Sequence, residues 1–233
     1  MIAKIIAVLV TFAVAVVPSV MAQAAESGTA GEQSDEQTVE MMIIRESSMS
    51  SNRELNLFAL ENTESAIGRG NTGTEVYAAL ERLVFSGTQN RAVIRGHVVN
   101  NFPDVRREAA RQLGLVGTEE ARAILLRACL SEVDPMVMYE IINSIGGIEL
   151  ENNEQAIATI VWVAGRFHRA PAPSNHVAMA AVNALDSLSE RDGGLTNPSA
   201  FMYLFAVAEG PYVHHVRSRA WEVIDGLREP NEE

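Results

Sequence analysis

The chain reads as an all-α protein of stacked antiparallel helix pairs, an α-solenoid of about four to five repeats, on three observations. First, four apolar stripes superpose. They start at Val105, Val137, Val177 and Val216 and continue four residues on at Ala109, Ile141, Ala181 and Ala220. Eight residues on come Leu113, Ile145, Leu185 and Ile224, and eleven on come Val116, Ile148, Leu188 and Leu227. That spacing puts each set on one face of a helix. Second, the copies recur after 32, 40 and 39 residues, so each interval has room for one more helix and its loops. A unit of that size buries its apolar face only by stacking on its neighbours. Third, nothing reads as a strand pair, and the β-prone Val161-Trp162-Val163 lies inside the helical pattern of Ile157, Ile160, Val161 and Ala164. A closed, non-repeating helical bundle is the alternative.

A leader opens the chain. Lys4 is followed by an apolar run from Ile5 to Val17, then Pro18, Ser19 and small residues at Ala22, Ala24 and Ala25. This is the charged region, apolar region and cleavage site of a secretory signal peptide over residues 1–22, with cleavage after Ala22 or Ala24. An uncleaved anchor is the alternative, and the apolar run is short against the ~20 residues a span requires. Cys129 is the only cysteine, so no intramolecular disulfide can form and no cysteine at the cleavage site can accept a lipid. It falls in the apolar stretch Ile124 to Leu130 and reads as a buried small hydrophobe. The mature chain is expected to be periplasmic or secreted, not a lipoprotein, and not membrane-spanning.

Residues 23–51 read as a disordered, acidic, Ser- and Gly-rich linker, because 23–38 holds no aromatic or large aliphatic group. Met41, Met42, Ile43 and Ile44 either cap the first helix or form a sticky motif in the linker. The helical repeat domain is expected over 52–230, with helices near 52–67, 74–86, 89–101, 103–116, 118–131, 135–147, 154–168, 175–189, 198–209 and 212–228. Starts are marked by Asp134-Pro135, Asn197-Pro198, Gly210-Pro211 and the Asn101, Pro103, Asp104 group, since proline has no amide proton to lose in a first turn. Glycines at 68, 70, 87, 117, 146–147 and 193–194 mark stops. An earlier, poorer copy of the stripe starts at Val76 with Leu80 and Val84.

The stretch Asp104-Val105-Arg106-Arg107-Glu108-Ala109-Ala110-Arg111-Gln112-Leu113-Gly114-Leu115-Val116-Gly117 resembles the first helix of a HEAT repeat. Thr118 to Leu126 resembles the second helix. Asp134 to Ile148 is similar to a degenerate next copy, and the likeness weakens over 175–188 and 212–227. The family's basic residue after the valine is kept as Arg106 and Arg217 and replaced by Met138 and Ala178. The resemblance implies one of three roles: a protein-binding scaffold, a bilin lyase, or a di-iron hydroxylase that uses His-Glu dipeptides as ligands. His97, His168, His176, His214 and His215 are followed by Val, Arg, Val, His and Val, so the hydroxylase is excluded.

The formal charge of −12, one unit more negative once Lys4 leaves with the signal, disfavours nucleic acid and anionic membranes and suits basic partners. Arg106, Arg107 and Arg111 form the one dense basic cluster, read as a surface answered by Glu108, Glu119 and Glu120 or as a binding patch. Further binding candidates are His168, Arg169 and His176, which flank the stiff loop Ala170-Pro171-Ala172-Pro173, and His214. Adjacent His214 and His215 point about 100° apart on a helix and do not chelate together; one is expected packed and one solvated. No nucleophile–base pair, phosphate loop, metal set or cofactor motif is present in the sequence. The expected role is a non-enzymatic protein- or peptide-binding scaffold of the cell envelope. A lyase-like enzyme or small-ligand carrier with a pocket on the concave face, and a self-associating envelope component, are the other readings.

Overall fold

The structure, a computed structural model, describes residues 37–227. The expected signal peptide and residues 23–36 of the linker lie outside the described residues. The chain divides into two compact units, 1–40 and 41–233. Residues 37–40 are helical. The second unit begins with α1, helical through residue 48. Ordered structure thus starts ahead of Asn52, inside the stretch read as linker, and Ile44 is fully buried. Of the apolar run, Ile44 is in the core and Met41 packs against it while Met42 and Ile43 are exposed, so the run is part of α1 rather than a cap or a linker motif.

The helices that follow are α2 (Arg53–Gly68), α3 (Thr74–Val84), α4 (Pro103–Val116), α5 (Glu119–Ser131), α6 (Pro135–Gly147), α7 (Glu154–His168), α8 (Asn175–Arg191), α9 (Pro198–Ala208) and α10 (His214–Gly226). They stack in two layers. Helices α2, α4, α6, α8 and α10 pack in sequence to form one, and α3, α5, α7 and α9 form the other. This is the all-α, HEAT-like solenoid that the stripes predict. Val105, Ala109 and Leu113, and their equivalents through Val216, Ala220 and Ile224, are all buried. The early copy at Val76 corrects to a second-layer helix: Val76, Leu80 and Val84 are buried on α3, which packs with α5, not in the layer of α4.

Side chains explain most helix starts. Asp134 Oδ1 accepts from the amides of Met136 (2.8 Å) and Val137 (3.2 Å), ahead of Pro135 in the first turn. Asn197 accepts from Ser199, Ser174 from Val177, Thr118 from Ala121 and Asn52 from Leu55. Each satisfies an amide that the first turn leaves without a carbonyl. Two expected starts differ. Pro211 lies in the loop before α10, whose N-cap is Val213, and Phe102 rather than Asn101 stands at the N-cap of α4.

The largest departure is the segment read as a helix over 89–101. It is a β-hairpin: β1 (Val93–Ile94) pairs antiparallel with β2 (His97–Val98). Arg95 and Gly96 between them have φ of 51° and 82°, the left-handed conformation that a two-residue hairpin turn demands. Asn100 closes the excursion by accepting from the Ala92 amide (2.8 Å) and donating to the Asn90 carbonyl (2.7 Å). Gly87, at φ 74°, lies where a Cβ would come within 2.5 Å of the Asn101 Cα, so the chain can return this close only past glycine.

Close approach also sets the spacing of the first layer. Gly114 on α4 and Gly146 on α6 occupy the same place in successive copies. A Cβ on Gly114 would stand 2.8 Å from Ser144 Cβ, and one on Gly146 would stand 2.8 Å from Ala184 Cβ. In the next copy that place is Asp186, which pairs with Arg219 of α10 (2.5 Å), and α10 meets α8 along a shorter contact. The α4–α6 and α6–α8 junctions are therefore backbone-close, and the α8–α10 junction is ionic.

Candidate functional site

The arginines of α4 divide. Arg106 is 2% exposed and faces inward; its Nε donates to Glu132 Oε2 (2.7 Å) and its Nη2 to Glu132 Oε1 (3.3 Å). Its Nη1 donates to the Ser86 carbonyl (3.1 Å) and to Asn101 Oδ1 (2.8 Å). Glu132, equally buried, also accepts from the amides of Val133 and Asp134, both at 2.8 Å. A buried ion pair is tolerated when its remaining lone pairs and protons are bonded in this way. Arg106 thus ties the hairpin excursion to the turn before α6 and is no surface ligand. Arg111 is partly exposed and pairs with Glu108 and Glu64, each at 2.6 Å. Arg107 is exposed on the same helix. Glu119, expected to answer this cluster, pairs instead with Arg122 (2.6 Å).

The histidines are dispersed over separate elements. His168 Nδ1 lies 2.8 Å from the Tyr212 hydroxyl, and its ring packs near Tyr212 and Tyr203. Burial pushes the Tyr212 phenol up to about 12 and raises Tyr203 as well. The Tyr203 hydroxyl is buried with no hydrogen-bond partner among the described residues. Arg169 is exposed at the C-cap of α7. His176 is exposed with its ring edge-on to Tyr139 at 6.0 Å. His214 and His215 are both exposed, where one was expected to pack; His214 Nδ1 lies 3.2 Å from Ser218 Oγ. Cys129 is buried as expected, with its thiol pushed up to about 12 by burial, a shift that Arg166 partly opposes. The structure does not bring the seven binding candidates into one place.

What it does bring together is a patch that periodicity left unread. Arg166 on α7 lies over the ring of Trp162, 5.0 Å from its centroid. The same guanidinium donates to the Glu132 carbonyl (3.0 Å) and, more weakly, to that of Leu130 (3.5 Å). Trp162 is 52% exposed, Leu130 53% and Val133 76%. One cation therefore links an aromatic ring to the main chain at the end of α5, a segment where the Leu130 and Val133 side chains are solvated, on the layer of α5 and α7. On α9, the next helix of that layer, Met202 is 70% exposed. Trp162 falls off the stripe of Ile157, Ile160 and Ala164, and that displacement was the available sequence signal.

Two clefts flank the hairpin excursion. The larger, about 540 Å³, is lined by Thr88, Arg91, Val98, Asn101, Arg106 and Val133 among others. The smaller, about 340 Å³, lies between the 48–51 turn, α3 and residues 86–100. Arg91 lines both.

Residues 97–166, from β2 to Arg166, match the family model for HEAT repeats. This supports a HEAT-repeat family. Searches of curated proteins and of solved structures found no match to the chain. The matched residues contain the buried Arg106–Glu132 pair and Leu130, Val133, Trp162 and Arg166, whereas α8 to α10 continue the stack beyond the match. Among the described residues, no helix is long and apolar enough to cross a membrane.

Proposed function

We propose that this chain is an exported, non-enzymatic scaffold that binds a protein or peptide through the α5–α7 layer. The observation that carries this reading is the Trp162–Arg166 stack, anchored to the main chain of a segment that exposes Leu130 and Val133. Trp and Arg dominate binding hot spots because a large rigid ring and a planar cation bury much area at small entropic cost. An exposed tryptophan already oriented by an arginine has lost part of that entropy before a partner arrives. HEAT repeats are commonly protein-interaction scaffolds, which agrees with this use of the layer. The charged segment around Lys4 and the apolar run Ile5 to Val17 support export to the periplasm or beyond.

The test is site-specific photo-crosslinking in the cells of origin, with the reactive group placed at Trp162 or, for comparison, at Arg107 on the opposite layer. The reading predicts one protein captured from position 162 and not from 107. Equal capture from both positions, or none from 162, would overturn it.

A further inference from the structure

The smaller cleft holds two cations and no anion. Its lining includes Ser48, Ser50, Ser51, Arg82, Asn90 and Arg91, and no carboxylate lines it anywhere. This is unusual in a chain with 30 acidic and 18 basic residues. Six other arginines find carboxylates: Arg53 with Asp104, Arg106 with Glu132, Arg111 with Glu108, Arg122 with Glu119, Arg127 with Glu81, Arg219 with Asp186. Arg82 and Arg91 are instead held by neutral oxygens. Arg82 Nη1 donates to Ser48 Oγ (2.6 Å), and Ser48 is itself buried and donates to the Arg45 carbonyl (2.9 Å). Arg91 Nε donates to the Thr88 carbonyl (2.6 Å). Each guanidinium is thereby oriented by one edge. Among the described residues, Arg82 Nη2 and both terminal nitrogens of Arg91 have no partner.

We propose that this cleft binds a phosphate-type oxyanion, free or carried as a monoester on a small organic group. Guanidinium groups match phosphate oxygens with paired, charge-assisted donors, and their strength rises where water is partly excluded. Two uncompensated positive charges suit a dianion, and phosphate monoesters carry close to two negative charges at neutral pH. A single carboxylate would answer only one of the two. The Ser50 and Ser51 hydroxyls on the cleft wall supply further donors, and a volume of about 340 Å³ is at the small end of ligand pockets. This site is separate from the Trp162 patch, and its assignment does not depend on the proposed scaffold role.

Calorimetric titration of the full chain with inorganic phosphate and with phenyl phosphate, at constant ionic strength in chloride buffer, tests the assignment. Saturable binding of either is expected. Equal affinities would assign the free ion, and tighter binding of phenyl phosphate would assign the ester. Arg91→Gln and Arg82→Gln are each expected to weaken binding about tenfold or more, while Arg107→Gln, outside the cleft, leaves it unchanged. Circular dichroism melts on each variant separate lost binding from lost fold, and Arg91, exposed and held by one bond, is the variant least tied to folding. Absence of saturable binding at millimolar phosphate, or equal loss in the Arg107 variant, would overturn the proposal.

Discussion

On the layer of α4, α8 and α10, partly exposed guanidinium groups meet carboxylates: Arg111 meets Glu108 and Glu64, and Arg219 meets Asp186. On the layer of α5 and α7, the Arg166 guanidinium meets an indole ring and two carbonyls, and Trp162, Leu130 and Val133 stay in water. Both layers bury the same kind of apolar stripe on their inner sides. The difference lies in what their outer sides leave unsatisfied. The first pairs Arg111 and Arg219 with carboxylates, and its exposed apolar groups, Leu55, Phe58 and Leu115, are not stacked on an arginine among the described residues. The second keeps apolar area exposed around a pre-oriented ring, which is the condition for gaining free energy on association.

Glu132 is tied to both sides, since its carboxylate holds Arg106 and its carbonyl receives Arg166. Breaking it should therefore have the largest effect. Glu132→Ala strands a buried guanidinium and two amides, and is expected to cost about 3–5 kcal/mol in urea unfolding. Replacing the pair together, with Arg106→Met and Glu132→Leu, should recover part of that loss, because Met138 fills the equivalent place in the next copy. A loss as large in the double variant as in the single would mean that the cost is not the unpaired charge.

Next in size is the α6–α8 junction. Gly146→Ala places a Cβ 2.8 Å from that of Ala184 and should destabilise by about 1–3 kcal/mol, against the usual helix gain for alanine. Its neighbour Gly147 has nothing within 4 Å, so Gly147→Ala is expected to be neutral or stabilising. Opposite signs in thermal melts would confirm close backbone packing there. At the ionic junction, Arg219→Ala should cost less than about 1 kcal/mol, and that cost should shrink in high salt.

The smallest effect concerns Glu140 on the charged layer. Burial pushes its carboxyl above the ordinary value, Arg107 and Arg111 pull it part of the way back, and Glu108 adds to the rise. A raised folded-state value means that the folded form binds the proton more tightly. The favourable contribution is present below the unfolded value and is lost as pH rises through the folded one. Glu140→Gln should therefore be slightly more stable than wild type at about pH 7.5 and lose that advantage near about pH 4, as read from urea midpoints.

Sequence periodicity made the helices and the buried stripes legible because burial on one helix face leaves a local record. Helix starts were legible where a capping side chain preceded proline, as at Asp134 and Asn197. The hairpin was not, because Arg95-Gly96 departs from the Asn-Gly and Asp-Gly pairs that mark such turns, and its strands are two residues long. Arg106 looked like a surface cation beside Arg107 and Arg111. Its equivalents Met138 and Ala178 are buried but Arg217 is exposed, so neither the position nor the charge alone told interior from surface. Its partner Glu132 lies 26 residues away in a turn, beyond the reach of any helical period. The clefts at Arg82 and Arg91 depend on how the hairpin excursion folds back, which no local pattern records.

The most direct test of the central claim is the dissociation constant of the protein captured from position 162, measured with purified components for three chains. The account predicts that Trp162→Ala weakens binding about thirtyfold or more, consistent with a hot-spot loss of ~2 kcal/mol, while the Arg107→Ala, Arg111→Ala double variant binds like wild type. Unchanged affinity in Trp162→Ala, with loss in the double variant, would place the interface on the charged layer and contradict the account.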